Sequence, residues 1–367
     1  MKRAVFALAL CAGLAFALAG CSEDPAAPNL AEKSAGDLAA KGRHGHGHHR
    51  GGVVVTADRG SGTITVLDAR DAAVVGAYAL PQAEGEPRPE PMYVNQMGRR
   101  VFVGDRANDR VVVFRARDFE VEAVIPAGRG VFHQWVDRHG SQLWVNNDID
   151  NTITVIDARS LGVLATVDVP ADLTAMGGKP HDVVVHPRGG YAYVTVLGVA
   201  GDNDYLVQYE TQGFTEVNRA AVGKDPHVSV GRNTRLYVPC QNSDQVLVFH
   251  PRSLALVDEL TIPGAHGAAM ALDGRRFYTT NLPGGGAGGI YTVDTRHDRI
   301  LGGPVDTPHP VPHNIALSDD GRSLFVTHSG PEADKVTFYR LTGRDRTPQY
   351  RGEATVGLNP FGIAFVR

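Results

Sequence analysis

The chain has 367 residues, with 36 Lys and Arg against 40 Asp and Glu and a formal net charge of −4. That balance, with no basic block, excludes a nucleic-acid-binding surface. The length allows one large core or an array of repeats.

Met1-Lys2-Arg3 is basic, residues 4–19 are apolar, and Gly20-Cys21 follows. The run is too short and too Ala-rich for a stable membrane span, so residues 1–20 read as a secretory signal. Leu18-Ala19-Gly20-Cys21 resembles the bacterial lipobox, which implies cleavage before Cys21 and a lipid on its thiol. The expected product is an exported lipoprotein, anchored to a membrane through Cys21 and facing the periplasm or the cell exterior. Cys11 leaves with the signal, so Cys240 is the one thiol of the mature domain and no intramolecular disulfide can form. Residues 21–52 hold too little apolar surface to fold and are expected to form a disordered tether. Within it, His44, His46, His48 and His49 make a secondary metal-binding tract, because neutral imidazoles ligate zinc and copper.

From Val53 onward the chain repeats itself. Unit starts fall at Met92, His133, His181, His227, His266, His313 and Phe361, at spacings between 39 and 48 residues. Aromatic-Val strands recur within the units, as in Val101-Phe102-Val103, Leu143-Trp144-Val145, Tyr193-Val194 and Leu236-Tyr237-Val238. Turns such as Asp273-Gly274 and Asp320-Gly321 precede some of them. Four short strands at this period predict propeller blades. The C-terminal run from Phe361 is one first strand with nothing after it, and the segments at 53–56, 63–66 and 74–80 are three strands lacking a first. Joined, they complete a seventh blade, so the expected domain is an all-β, seven-bladed propeller over 53–367, closed by the C-terminal strand.

Pro180-His181, His186-Pro187-Arg188-Gly189, Tyr193-Val194-Thr195 and Tyr278-Thr279-Thr280-Asn281 resemble the motif of the YVTN-repeat propellers, a family that includes surface-layer and lactonase-like seven-bladed proteins. The resemblance spans nearly all of 53–367 and implies the fold. It leaves function open, because the motif describes blade packing. A His-rich N-terminal segment paired with axial histidines is also similar to exported zinc-metallochaperone propellers, although the lipid anchor departs from them. The segment at 104–111 is similar to a blade of the nitrous oxide reductase propellers, whose copper is held by blade histidines. No cupredoxin domain accompanies it, which argues against that catalysis.

On a propeller the first strand of each blade lines the axis, so His133, His181, His227, His266 and His313 are expected to converge there. Residues just after each second strand share that face: Asp105, Asn147, Val196, Cys240, Asn281, His328 and Ala57. The expected ligands of a zinc or copper ion are therefore the five histidines with His328 and Cys240. The expected function is metal binding, storage or delivery by a monomer, with a metal transporter or another envelope protein as candidate partner. Two alternatives stay open: a metal-dependent hydrolase or oxidoreductase, and a metal-free scaffold that binds proteins through its mouth loops.

Overall fold

Runs of about six β-branched and aromatic residues, broken by Gly and Asp turns, form short antiparallel strands. In a computed structural model these strands make seven sheets, the blades of a propeller. The structure describes residues 51–367 except 138, 232 and 283–286; the signal segment, Cys21 and the histidine tract at 44–49 lie outside the described residues.

Blade 1 is built from both ends of the chain, in the order Pro360–Val366, Val53–Asp58, Thr63–Asp68 and Val74–Ala79. Val53 faces Val366 and Val55 faces Ala364 across the closing ladder. The innermost strands of blades 2, 3 and 4 are Pro91–Met97, Val131–Val136 and Lys179–Val185. Those of blades 6 and 7 are Ala265–Met270 and Pro312–Leu317. In blade 5 the inner strand shrinks to Ser229–Val230, extended by one bridge between Pro226 and Cys240. Blade 6 has a split outer edge, Arg299–Ile300 and Val305–Asp306, because Gly302, Gly303 and Pro304 interrupt the ladder.

Each of the seven interfaces between neighbouring blades has its own apolar cluster. Blades 3 and 4, for example, share Trp144, Ile153, Val183, Val194 and Tyr209, while blades 7 and 1 share Phe325, Val336, Val54 and Leu67. The outer strands are mostly exposed, as at Val121–Pro126, where Ile125 alone is buried, whereas second strands such as Ser323–His328 are buried throughout. The core is thus a ring of interfaces that leaves the inner strands to shape the axis.

One buried carboxyl makes the ring's closure sensitive to pH. Asp58 accepts hydrogen bonds from the hydroxyls of Thr56, Thr63 and Thr65, at 2.7, 3.1 and 2.6 Å. Burial still outweighs these bonds and pushes its pKa up to about 6 from 3.8. The folded state therefore holds a proton that the unfolded state has already lost, and stability falls as pH rises from about 4 to 6, by about 3 kcal/mol. Asp58→Asn carries no charge, so between pH 4 and pH 7 it should gain that amount relative to the wild type in urea unfolding. A stability difference that does not change with pH would show that Asp58 does not hold the proton.

Candidate metal centre

Near its mouth end, the inner strand of every blade but the fifth carries an irregularity in its register. Pro180 faces Val196 and Val183 faces Val194, so His181 and Asp182 together oppose Thr195 alone. The same two-against-one bulge recurs in the inner strands of blades 1, 2, 3, 6 and 7, whereas in blade 5 the Pro226–Cys240 bridge keeps the register of the Ser229–Tyr237 pair, so His227 and Val228 lie opposite Pro239 and Val238 without a bulge. A bulge re-aims consecutive side chains. Here it gives each of those six blades two neighbouring residues at the axis.

The residues at the first of these positions, from blade 1 to blade 7, are Phe361, Met92, Phe132, His181, His227 of the unbulged blade 5, His266 and His313. The second are Gly362, Tyr93, His133, Asp182, Val228, Gly267 and Asn314. His133 is therefore not equivalent to the other four histidines, as the repeat alignment had placed it; Phe132 occupies that position and His133 matches Asp182. Gly267 and Gly362 are required where they stand, since a Cβ would overlap the carbonyl oxygen of His313 or Met92 on the next blade.

The first residues form a belt of rings. Centroids lie 5.4 Å apart from Phe132 to His181 and 4.7 Å from His181 to His227. They continue at 4.1 Å to His266, 4.6 Å to His313 and 4.2 Å to Phe361. Met92, Phe132 and Phe361 pack together as an apolar sector. The belt is imidazole on four consecutive blades and apolar on three. Hydrogen bonds between blades hold it in place: Asn146 Nδ2 donates to the His181 carbonyl at 2.9 Å, and Thr280 Oγ1 to that of His313 at 2.9 Å.

His133, His181 and His227 are buried, and each offers a ring nitrogen such that all three nitrogens lie within 4.8 Å of one another. His181 Nε2 and His227 Nε2 are 3.4 Å apart. That matches the ~3.4 Å edge of a tetrahedron with metal–nitrogen bonds of about 2.05 Å. His133 Nδ1–H donates to Asp182 Oδ1 at 2.8 Å, which fixes the tautomer and leaves its Nε2 as a buried lone pair without a partner. Tyr93 stacks on the same ring, with centroids 3.7 Å apart. The other Asp182 oxygen accepts the Val228 N–H at 2.9 Å and stands 3.7 Å from His227 Nδ1. One carboxylate thus orients two imidazoles, the usual outer support of a metal-ligating histidine.

The electrostatics agree with that arrangement. Burial works to raise the Asp182 carboxyl, but His133 and His227 outweigh it and hold the group well below the usual carboxylate range. Burial keeps His133 and His181 below the ordinary imidazole value, so both are neutral at pH 7 and have lone pairs available. His266 is depressed by burial in the same way, and neither of its ring nitrogens has a partner. His313 is pushed down to about 3, mainly by burial, and its Nδ1 accepts from Asn314 Nδ2 at 2.8 Å.

The structure does not bring His328 or Cys240 into this group. His328 Nδ1–H donates to the Pro310 carbonyl at 3.0 Å and its Nε2 accepts from Thr337 Oγ1 at 2.9 Å, so no lone pair remains. Cys240 is buried among Tyr193, Val238 and Leu247 between blades 4 and 5. Burial pushes its thiol up and away from the thiolate a metal would need. The other polar residues expected at the mouth pin loops instead. Asp105 accepts the Glu90 N–H at 2.9 Å, and Asn281 Nδ2 donates to the Pro263 carbonyl at 3.1 Å. In blade 1 that position belongs to Asp58, opposite Pro360, and Ala57 lies opposite the bulge.

Two residues of the site were missed from the sequence, Asp182 and Asp225. Asp225 Oδ1 is buried, has no hydrogen-bond partner and stands 3.8 Å from His181 Nε2. Burial, followed by the neighbouring Asp204, pushes its carboxyl up, against a lowering by His227. Asp182 directly follows His181, and Asp225 stands two residues before His227, in Pro180-His181-Asp182 and Asp225-Pro226-His227, and that proximity was the available signal.

The chain belongs to the seven-bladed β-propeller lactonase family, whose model matches residues 22–254. Solved structures share the fold. The periplasmic gluconolactonase of Pseudomonas aeruginosa superposes with a TM-score of 0.65 at 17% identity, covering 86% of this chain and 99% of its own. A putative 6-phosphogluconolactonase from Bacteroides uniformis gives 0.65 at 16% identity, with 86% and 99% covered. Hydrazine synthase of Kuenenia stuttgartiensis gives 0.64 at 16% identity, covering 78% of this chain and 92% of that one. No curated protein matches the chain significantly.

Proposed function

We propose that this protein is an exported, lipid-anchored propeller that holds a transition-metal ion on its axis, for metal binding, storage or delivery. The observation that carries this reading is the His133 imidazole, whose Nδ1–H is fixed on Asp182 while its buried Nε2 lone pair has no partner. Such an orphan atom costs about 1–3 kcal/mol, and a cation between it and the His181–His227 pair would remove that cost. Cys21 supplies the anchor, and the tract at 44–49 collects metal for the axis.

Elemental analysis tests the reading. Protein purified with His44, His46, His48 and His49 replaced by Ala should retain about one equivalent of zinc or copper, and a metal-free product would refute it. Asp182→Asn should weaken the bound metal by about 10–100-fold, since it disturbs the orientation of two ligands. An unchanged affinity would remove Asp182 from the centre.

Membership of the lactonase family favours a second reading, metal-assisted opening of a lactone, with the ion polarising the carbonyl or activating water. Lactone hydrolysis by the purified protein that disappears with a chelator and returns with zinc would support this reading; no turnover in either state would leave metal holding as the function.

A further inference from the structure

The axial site contains a fourth donor from outside the imidazole belt. We propose that Asp225 is the fourth ligand of the axial metal, which makes the centre a closed three-histidine, one-carboxylate site for a divalent borderline cation such as zinc. The inference rests on the metal reading of the site.

Three observations converge on it. First, Asp225 Oδ1 is a buried carboxylate oxygen without a hydrogen-bond partner among the described residues, and the nitrogen it approaches, His181 Nε2 at 3.8 Å, already belongs to the triad. Ligation moves the carboxyl inward toward all three rings, because Asp225 does not itself belong to the group whose atoms lie within 4.8 Å of one another. Second, the backbone holds this residue in place. Asp225 adopts a left-handed conformation, φ 57°. Its N–H donates to Asp204 Oδ2 at 2.9 Å, and its carbonyl accepts the Gln241 N–H at 3.1 Å. A strained residue tied at both ends keeps its carboxyl directed inward.

Third, the charges balance only around a divalent ion. As ligands the imidazoles are neutral, which leaves the part-buried Asp182 and the buried Asp225 as two negative charges at the centre. The neighbouring carboxylate, Asp204, is matched by Lys224 Nζ at 3.0 Å; among the described residues Asp225 has no such cation. A doubly charged ion neutralises the pair, whereas a monovalent one leaves an uncompensated buried charge, which proteins strongly disfavour. With all four positions filled by protein, the ion has no site for water. The centre then holds the metal and does not activate a nucleophile.

Cobalt(II) reports the number and type of ligands through its visible spectrum. The test uses the full-length chain with His44, His46, His48 and His49 replaced by Ala, loaded with one equivalent of cobalt. The wild-type axis should give intense tetrahedral bands that azide does not alter. Asp225→Ala should weaken cobalt at least about 100-fold and make its spectrum respond to azide through the opened position. Asp225→Asn, which tolerates the left-handed backbone, should show the same weakening while keeping the fold. A wild-type spectrum that shifts with azide would overturn the proposal, as would two variants that bind cobalt like the wild type. If the wild type takes up no cobalt, the metal reading itself falls, and this inference falls with it.

Discussion

Replacing His133, His181 and His227 together by Ala should abolish the axial metal and, with it, the stabilisation that metal confers. An ion present at a hundred times its dissociation constant stabilises the folded state by about 2.7 kcal/mol. For a domain of about 315 residues, with an unfolding entropy of about 2.1 cal/mol/K per residue, that is a rise in Tm of about 4 °C. Zinc should therefore raise the Tm of the parent chain by that amount and leave the triple variant unmoved. The variant without metal need not be less stable than the metal-free parent, because it also removes the orphaned His133 Nε2 and the close His181–His227 contact. Equal zinc-dependent shifts in both proteins would place the metal elsewhere.

The second large effect concerns closure of the ring. Removing residues 361–367 takes away nearly all of the inner strand of blade 1 and uncovers Val53–Asp58 along its length. Phe361, Ile363 and Val366 are buried there. At about 1.5–3 kcal/mol each, their loss amounts to roughly 5–9 kcal/mol, comparable with the whole stability of a typical domain. The truncated chain should lose its cooperative unfolding transition and aggregate through the exposed strand edge. A Tm equal to that of the full-length chain would show that the ring does not depend on this ladder.

The blades were legible because their strands are short, apolar and regularly spaced, and because the unmatched strands at the two ends complete one another. The axis was less legible. A bulge brings two consecutive residues to the centre in six of the seven blades, so a histidine in either position ends there, and alignment on the histidine alone set His133 beside His181. The strand register, with Val131 facing Asn147 and Gln134 facing Val145, assigns that position to Phe132. Asp105 and Asn281 were placed at the mouth, and His328 was read as a ligand, because they are polar residues on the right face. Buried backbone groups at loop entries need partners as well, and these side chains serve them. Asp182 and Asp225 stayed hidden because an Asp beside a His or Pro has the composition of an ordinary turn. Only the folded chain directs their oxygens at imidazole nitrogens.

Diffraction from zinc-soaked crystals, collected on both sides of the zinc absorption edge, tests the central claim most directly. The account predicts an anomalous peak on the propeller axis, about 2.0–2.1 Å from ring nitrogens of His133, His181 and His227. A map with no peak within bonding distance of those three rings would contradict it.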